Sequence, residues 1–207
     1  LIPVDEVTLN NDAATHKESG ETLTQVVTKM SKSLRNVVNP DHVIAENGCD
    51  TFRLYEMFMG PLSESKPWNP RDVPGCKRFL ERLWRLFVDP NTSQSIRPNL
   101  TQDDQSELQG ASLDLERHLN RTIKRIDDSF KYFNFNTAIA AMMSFVNEAL
   151  KTPESLRKNQ AERFLACLAP FAPHISEELW HRAGNNEQES VCNEPWPKVD
   201  EAYLSEA

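Results

Sequence analysis

The sequence predicts a mainly α protein, in which an antiparallel helix bundle follows a small mixed α/β piece. Glycine is scarce, with 6 in 207 residues, and 13 prolines mark where helices begin and end. Beyond Gly75 apolar residues recur at helical spacing in several long stretches. Before Thr28, by contrast, the chain is polar and acidic and holds two strand-like runs.

The N-terminal piece combines strand and helix patterns. Alternating and β-branched residues predict strands over 4–9 and 23–28. Asn39-Pro40-Asp41 is typical of a helix start, and Gly48 suits the end of a helix over 41–47.

A second short helix is expected over 51–59, with Asp50 as its cap and Gly60-Pro61 as its end. The prolines between residues 62 and 74 then indicate a linker. The predicted division is therefore 1–61, a linker over 62–74, a helix bundle over 75–184 and an extended tail over 185–207.

Five helices are predicted in the bundle, namely 75–88, 108–132, 136–150, one opened by Thr152-Pro153-Glu154, and 173–183. The helix over 136–150 is apolar nearly all round, which is typical of a helix surrounded by others. We therefore expect Met142, Phe145 and Val146 at the centre of the bundle.

Positive charge is confined to two helix faces. The net charge is −8, from 23 basic and 31 acidic residues, which argues against a generally nucleic-acid-binding surface. The exceptions are Arg78, Arg82 and Arg85 on one helix, and Arg117, Arg121, Lys124 and Arg125 on another. Each face suits RNA phosphates, with plain solvated surface as the alternative. Neither face interleaves aromatic residues, so phosphate contact is expected rather than base reading.

Cysteine usage and hydropathy restrict the location and the chemistry. The four cysteines are scattered, with no Cys-x-x-Cys pair, so no metal site is expected. Such sparse cysteines are typical of a protein in a reducing cytoplasm, which is the location that we expect. No run approaches the roughly 20 apolar residues of a membrane span, so no membrane partner is expected.

One short segment carries chemistry by its composition. Lys29-Met30-Ser31-Lys32-Ser33 places two ammonium groups and two hydroxyls within five residues, a set that suits a polyphosphate. A solvated turn is the alternative. The order of residues is the signature of class I aminoacyl-tRNA synthetases, whose loop of this sequence binds the ATP phosphates.

The flanking sequence extends the resemblance over roughly residues 25–200. The chain resembles a bacterial-type leucyl-tRNA synthetase in a series of segments, namely 36–41, 48–61, 66–69, 78–80, 84–86, 135–140 and 170–180. Isoleucyl- or valyl-tRNA synthetases are the second choice. One departure is Arg35, which stands where the family usually has Gly.

The resemblance implies a class I synthetase segment. It would comprise the end of the catalytic domain and an anticodon-binding-type helical domain, acting in the ATP-dependent attachment of leucine to tRNA(Leu). Lys29 and Lys32 would stabilise the leaving pyrophosphate, with ATP supplied as its Mg complex. The family's adenosine-binding fold has no counterpart before Lys29, so we expect the segment to be inactive alone. We also expect it to be monomeric and cytoplasmic. A stand-alone helical RNA-binding module is the alternative.

Overall fold

The computed structural model describes residues 2, 4–10, 13–24, 26–92, 95–186 and 188–204. The chain divides into an N-terminal unit, Leu1–His42, and a helical unit, Val43–Ala207. Within the described residues the structure is mainly helical with one small antiparallel sheet, which confirms the predicted fold class at that level.

The sheet belongs to the N-terminal unit and has the strand order β1-β2-β3. The strands are β1 (Val7–Asn10), β2 (Ala13–His16) and β3 (Thr22–Leu23). Val7 pairs with His16, and Ala14 pairs with Leu23.

The sequence located these strands only in part. The predicted strand over 4–9 begins at Val7, because Val4–Glu6 forms a 3₁₀ turn. The run over 23–28 was wrong beyond Leu23, since residues 26–28 make no ladder. β2 was missed because Ala13–His16 has weak β propensity and is a strand through its pairing with both neighbours.

The helices lie close to the predicted positions. They are α1 (Pro40–Asn47), α2 (Cys49–Phe58), α3 (Val73–Phe87), α4 (Ala111–Lys131), α5 (Phe135–Ala149), α6 (Lys158–Leu168) and α7 (Pro173–Arg182). Short 3₁₀ turns occur at Pro98–Leu100, Pro153–Ser155, Val191–Asn193 and Glu201–Tyr203. The described residues contain no helix that is both long and apolar enough to cross a membrane.

The predicted start of a helix at Thr152-Pro153-Glu154 was wrong. Pro153–Ser155 forms one 3₁₀ turn, and Leu156 then adopts an extended conformation with ψ of 127°. The Leu156 side chain is buried in the core, which fixes the chain in this conformation. α6 begins two residues later, where Gln160 Oε1 accepts a hydrogen bond from the backbone N–H of Arg157 at 3.1 Å.

The core of the helical unit surrounds α5, as the apolar pattern predicted. Met142, Phe145 and Val146 are fully buried, and α5 contacts α2, α3 and α4. The Phe145 ring stacks on Phe164 of α6 with 4.9 Å between centroids. His118 of α4 meets the same ring edge-on at 5.8 Å.

A buried polar network joins α4 to α6. The Arg163 guanidinium lies 2.7 and 2.6 Å from the two Glu116 carboxylate oxygens, and Glu116 is 4% exposed. Gln160 and Asn120 donate their side-chain amides to the same carboxylate at 3.0 and 2.8 Å. Burial alone would raise the Glu116 pKa, but the bonds and charge of Arg163, with the two amides, lower it below its ordinary value.

Candidate functional site

The segment Lys29–Ser33 forms an exposed turn in the N-terminal unit. Asn36 braces this turn with its amide: Oδ1 accepts from the backbone N–H of Ser31 at 2.8 Å, and Nδ2 donates to the Lys29 carbonyl at 3.3 Å. The Ser31 hydroxyl accepts from the backbone N–H of Leu34 at 3.2 Å. A single side chain therefore holds two backbone positions of this segment, Lys29 and Ser31.

Three of the four side chains that could bind an anion here, Lys29, Lys32 and Ser33, are exposed, and Ser31 is half-buried. Lys29 and Lys32 are exposed, and neither forms an ion pair within the described part of the chain. The Ser31 and Ser33 hydroxyl oxygens lie 3.2 Å apart. Two ammonium groups and two hydroxyls so placed fit the charge and the acceptor oxygens of a polyphosphate.

Arg35 adopts a left-handed backbone conformation with φ of 51°. Its N–H bonds to the Lys32 carbonyl at 3.3 Å and closes the turn over Lys32–Arg35. This conformation costs a non-glycine residue on the order of 1–2 kcal/mol. A glycine would adopt this conformation without that cost.

Three of the four basic residues predicted on α4 come together. Arg121, Lys124 and Arg125 line a depression of about 380 Å³ between the end of α4 and the start of α5. Arg117 is separate from them, half-buried and 3.4 Å from the Asp114 carboxylate. The cationic patch is thus narrower than the helix periodicity indicated.

The depression contains a feature that the periodicity did not reveal. Tyr132, the residue after α4, lines it and is 74% exposed. Asp128 also lines it and forms an ion pair with Lys131 at 2.8 Å. No aromatic residue is interleaved among the basic residues of the helix itself, but Tyr132, directly after the last helical position, lies beside them.

The three basic residues predicted on α3 lie in three different environments. Arg78 is exposed and lines a second depression with Lys66 and Arg71. Arg82 is half-buried, and its Nε is inaccessible to solvent. Arg85 is exposed and donates Nε to the Glu81 carbonyl at 3.3 Å. Arg78 and Arg85 thus remain available to a partner.

The described residues hold no group of three or more His, Cys, Asp or Glu side chains placed to bind a metal ion. All four cysteines are free thiols. Burial raises the pKa of Cys76 to about 11 and that of Cys167 to about 12, which keeps both thiols protonated and unreactive.

Comparison with known proteins finds a family match for the C-terminal part of the helical unit. Residues 113–207, which include most of α4 and all of α5 to α7, match the family described as the anticodon-binding domain of tRNA ligase. This part of the chain, which contains most of the basic depression at the end of α4, is therefore similar to the anticodon-binding domains of tRNA ligases.

The wider chain is similar to one particular ligase. It is 43% identical over 213 residues to the leucine–tRNA ligase of Treponema pallidum subsp. pallidum, over 99% of this chain and 24% of that protein. A crystal structure of the ternary complex of Agrobacterium radiobacter K84 agnB2 LeuRS, tRNA and LeuAMS matches with a TM-score of 0.68. It is 32% identical, over 86% of this chain and 23% of that one.

These comparisons confirm the resemblance to leucyl-tRNA synthetases that the sequence indicated. The chain spans about a quarter of the length of the relatives it matches.

Proposed function

We propose that the chain acts as a segment of a leucine–tRNA ligase, which attaches leucine to tRNA(Leu) at the expense of ATP. The similarity along 99% of the chain to a leucine–tRNA ligase supports this function. It favours leucine over isoleucine or valine as the amino acid. The chain alone is proposed to be inactive, because it matches only a quarter of such a ligase.

In this proposal the turn at Lys29–Ser33 binds the phosphates of ATP. The carboxylate of leucine attacks the α-phosphate, and pyrophosphate leaves. Such a step needs positioning and charge neutralisation more than acid–base catalysis. The exposed ammonium groups of Lys29 and Lys32 would neutralise the departing pyrophosphate, while Ser31 and Ser33 would hydrogen-bond its oxygens. Mg²⁺ would arrive with ATP.

The helical unit would bind tRNA through its basic residues. The observation that carries this part is the depression that brings Arg121, Lys124 and Arg125 together in an otherwise acidic chain. Their side chains would bind phosphates of the tRNA backbone, which fixes its position without reading its sequence. This contact would be extended by Arg78 and Arg85, which are exposed on α3. The half-buried Arg82 and Arg117 would contribute less. We propose the arrangement as a bundle of the anticodon-binding type, with the division 1–61, 62–74, 75–184 and 185–207.

The test is charge reversal on α4. Arg121→Glu with Arg125→Glu should weaken binding of a tRNA(Leu) transcript and make the dependence on salt shallower by about one unit of slope per lost phosphate contact. The loss of affinity should be the same for an anticodon-swapped transcript, because the phosphate backbone is the same whatever the base sequence.

The matched control is Lys17→Glu with Lys151→Glu, which lowers the net charge equally but lies outside the proposed site. If both double variants bind alike, the α4 face is ordinary solvated surface. A loss confined to one anticodon would show base reading instead of phosphate contact.

A further inference from the structure

The depression at the end of α4 combines two kinds of group that a nucleotide needs. Arg121, Lys124 and Arg125 supply positive charge, and the aromatic ring of Tyr132 lines the same surface. Its volume of about 380 Å³ lies within the range of small-molecule sites. Asn134 and Thr137 add an amide and a hydroxyl to its wall.

Tyr132 lies at the sharp turn between α4 and α5. α4 ends at Lys131, and Phe133 has a left-handed backbone with φ of 56° before α5 begins at Phe135. This sharp turn brings Phe133 to within 6.0 Å of the Phe135 ring, measured between centroids. Tyr132 is left facing solvent with 74% of its surface exposed.

The electrostatics of the depression favour an anion beside the ring. Asp128 is the acidic residue in its lining, and its ion pair with Lys131 lowers its pKa and balances its charge. The lining therefore keeps a positive excess from three basic side chains. Such a surface binds a phosphate while an adjacent aromatic ring stacks on a base.

We propose that Tyr132 stacks on an unpaired base of the bound tRNA while Arg121 and Arg125 hold the adjoining phosphate. The inference deepens the proposed function and rests on it, since it names one subsite of the tRNA contact. Stacking tolerates any base, so the subsite adds affinity without making binding depend on the anticodon sequence. It recognises a single-stranded or everted nucleotide, which a fully paired helix does not offer.

The experiment compares affinity with salt dependence for a tRNA(Leu) transcript and the 207-residue chain. Tyr132→Ala should weaken binding roughly tenfold, because the favourable contact between the ring and a stacked base is lost. The slope of affinity against salt should not change, since no charge is lost. Tyr132→Phe should bind within about twofold of the wild type, since it keeps the ring.

Two controls isolate the stack. Phe133→Ala removes the neighbouring exposed ring, which does not line the depression, and should leave affinity unchanged. A fully paired, blunt-ended RNA duplex, which has no unpaired base, should bind Tyr132→Ala and the wild type equally.

Each other result overturns the inference. If Tyr132→Ala binds the transcript with unchanged affinity, Tyr132 does not stack on a base. If Arg121→Glu with Arg125→Glu still gives a shallower salt slope in that case, the phosphate contact remains. Equal losses for Tyr132→Ala and Tyr132→Phe would assign the effect to the hydroxyl. No binding of the transcript by the wild type at low salt would remove both the subsite and the proposed function.

Discussion

The carboxylate of Asp50 in α2 caps the N-terminus of α7 by accepting the backbone N–H of Ile175 at 2.7 Å. Its other oxygen lies 3.3 Å from the backbone N and 2.8 Å from the ring Nδ1 of His174. The sequence predicted Asp50 as the cap of its own helix, but α2 begins at Cys49 and receives no side-chain cap. The first free N–H groups of α7 are satisfied instead by a residue 125 positions away.

Removal of this cap should destabilise the protein. Asp50→Ala should lower the free energy of unfolding by about 2 kcal/mol, because a helix cap is lost and N–H groups of α7 lose their acceptor. Asp50→Asn, which keeps one acceptor oxygen, should cost less. Urea denaturation of the 207-residue chain measures both values.

The control for Asp50 is Asp114→Ala, which removes an exposed carboxylate in the first turn of α4. It should change stability by no more than about 0.5 kcal/mol. An Asp50→Ala variant as stable as Asp114→Ala would mean that water replaces the cap at no cost.

The Glu116–Arg163 pair should make stability depend on acid. Because the folded state lowers the Glu116 pKa, its contribution is complete above the unfolded value of about 4.5 and is lost as the pH falls through the folded value. Glu116→Gln should cost roughly 3 kcal/mol at pH 7, the lower end for a broken buried pair because Arg163 keeps some contact with water.

The difference between the unfolding free energies of wild type and Glu116→Gln should narrow as the pH is lowered from 7 to 3. Glu154→Gln, at an exposed carboxylate, should run parallel to the wild type throughout. If the wild-type and Glu116→Gln curves stay equally far apart at every pH, the Glu116 pKa is not lowered by folding.

The central position of α5 predicts a large cavity effect. Phe145 is fully buried and stacks on Phe164, so Phe145→Ala should cost about 3–5 kcal/mol. Asn147→Ala, on the exposed side of the same helix, should stay within about 0.5 kcal/mol. A denaturation midpoint that Phe145→Ala leaves in place would mean that the site collapses without loss.

The proposed phosphate turn predicts a rate effect in the complete ligase. Lys32→Ala should lower the rate of leucine-dependent pyrophosphate exchange by roughly 10²–10³, because a transition-state charge contact is worth on the order of 2–4 kcal/mol. The KM for leucine should stay nearly constant. Lys17→Ala, an exposed lysine outside the turn, should exchange at the normal rate. Equal rates for the two variants would show that Lys32 does not meet the phosphates.

The sequence predicted the elements that depend on local pattern. The helix predicted over 75–88 is α3, Val73–Phe87, because its apolar stripe is a local pattern. It begins two residues earlier than predicted, since Pro74 belongs to the first turn of the helix and not to the linker. The helix over 173–183 is α7, Pro173–Arg182, with Gly184 beyond its end at φ of 90°.

Features that depend on distant partners were not predictable in this way. The acceptor for α7 is Asp50, and the network of Glu116 draws on Gln160 and Arg163 from another helix. In the candidate site, the order of residues at Lys29–Ser33 identified the turn. Tyr132 escaped notice because a helix-face analysis ends where the helix ends, although one signal was available: an aromatic residue directly after a basic helix.

The three-residue connection Tyr132–Asn134 between α4 and α5 also bears on how the chain folds. It makes these two helices an antiparallel hairpin whose contacts are close in sequence, and the contacts between α4 and α5 are the most extensive of the helical unit. Short loops close with little loss of entropy, so such a hairpin assembles early. The link from Asp50 to α7 closes a far longer loop and must form late. We therefore expect mutations within the hairpin to slow refolding, and mutations at Asp50 to speed unfolding instead.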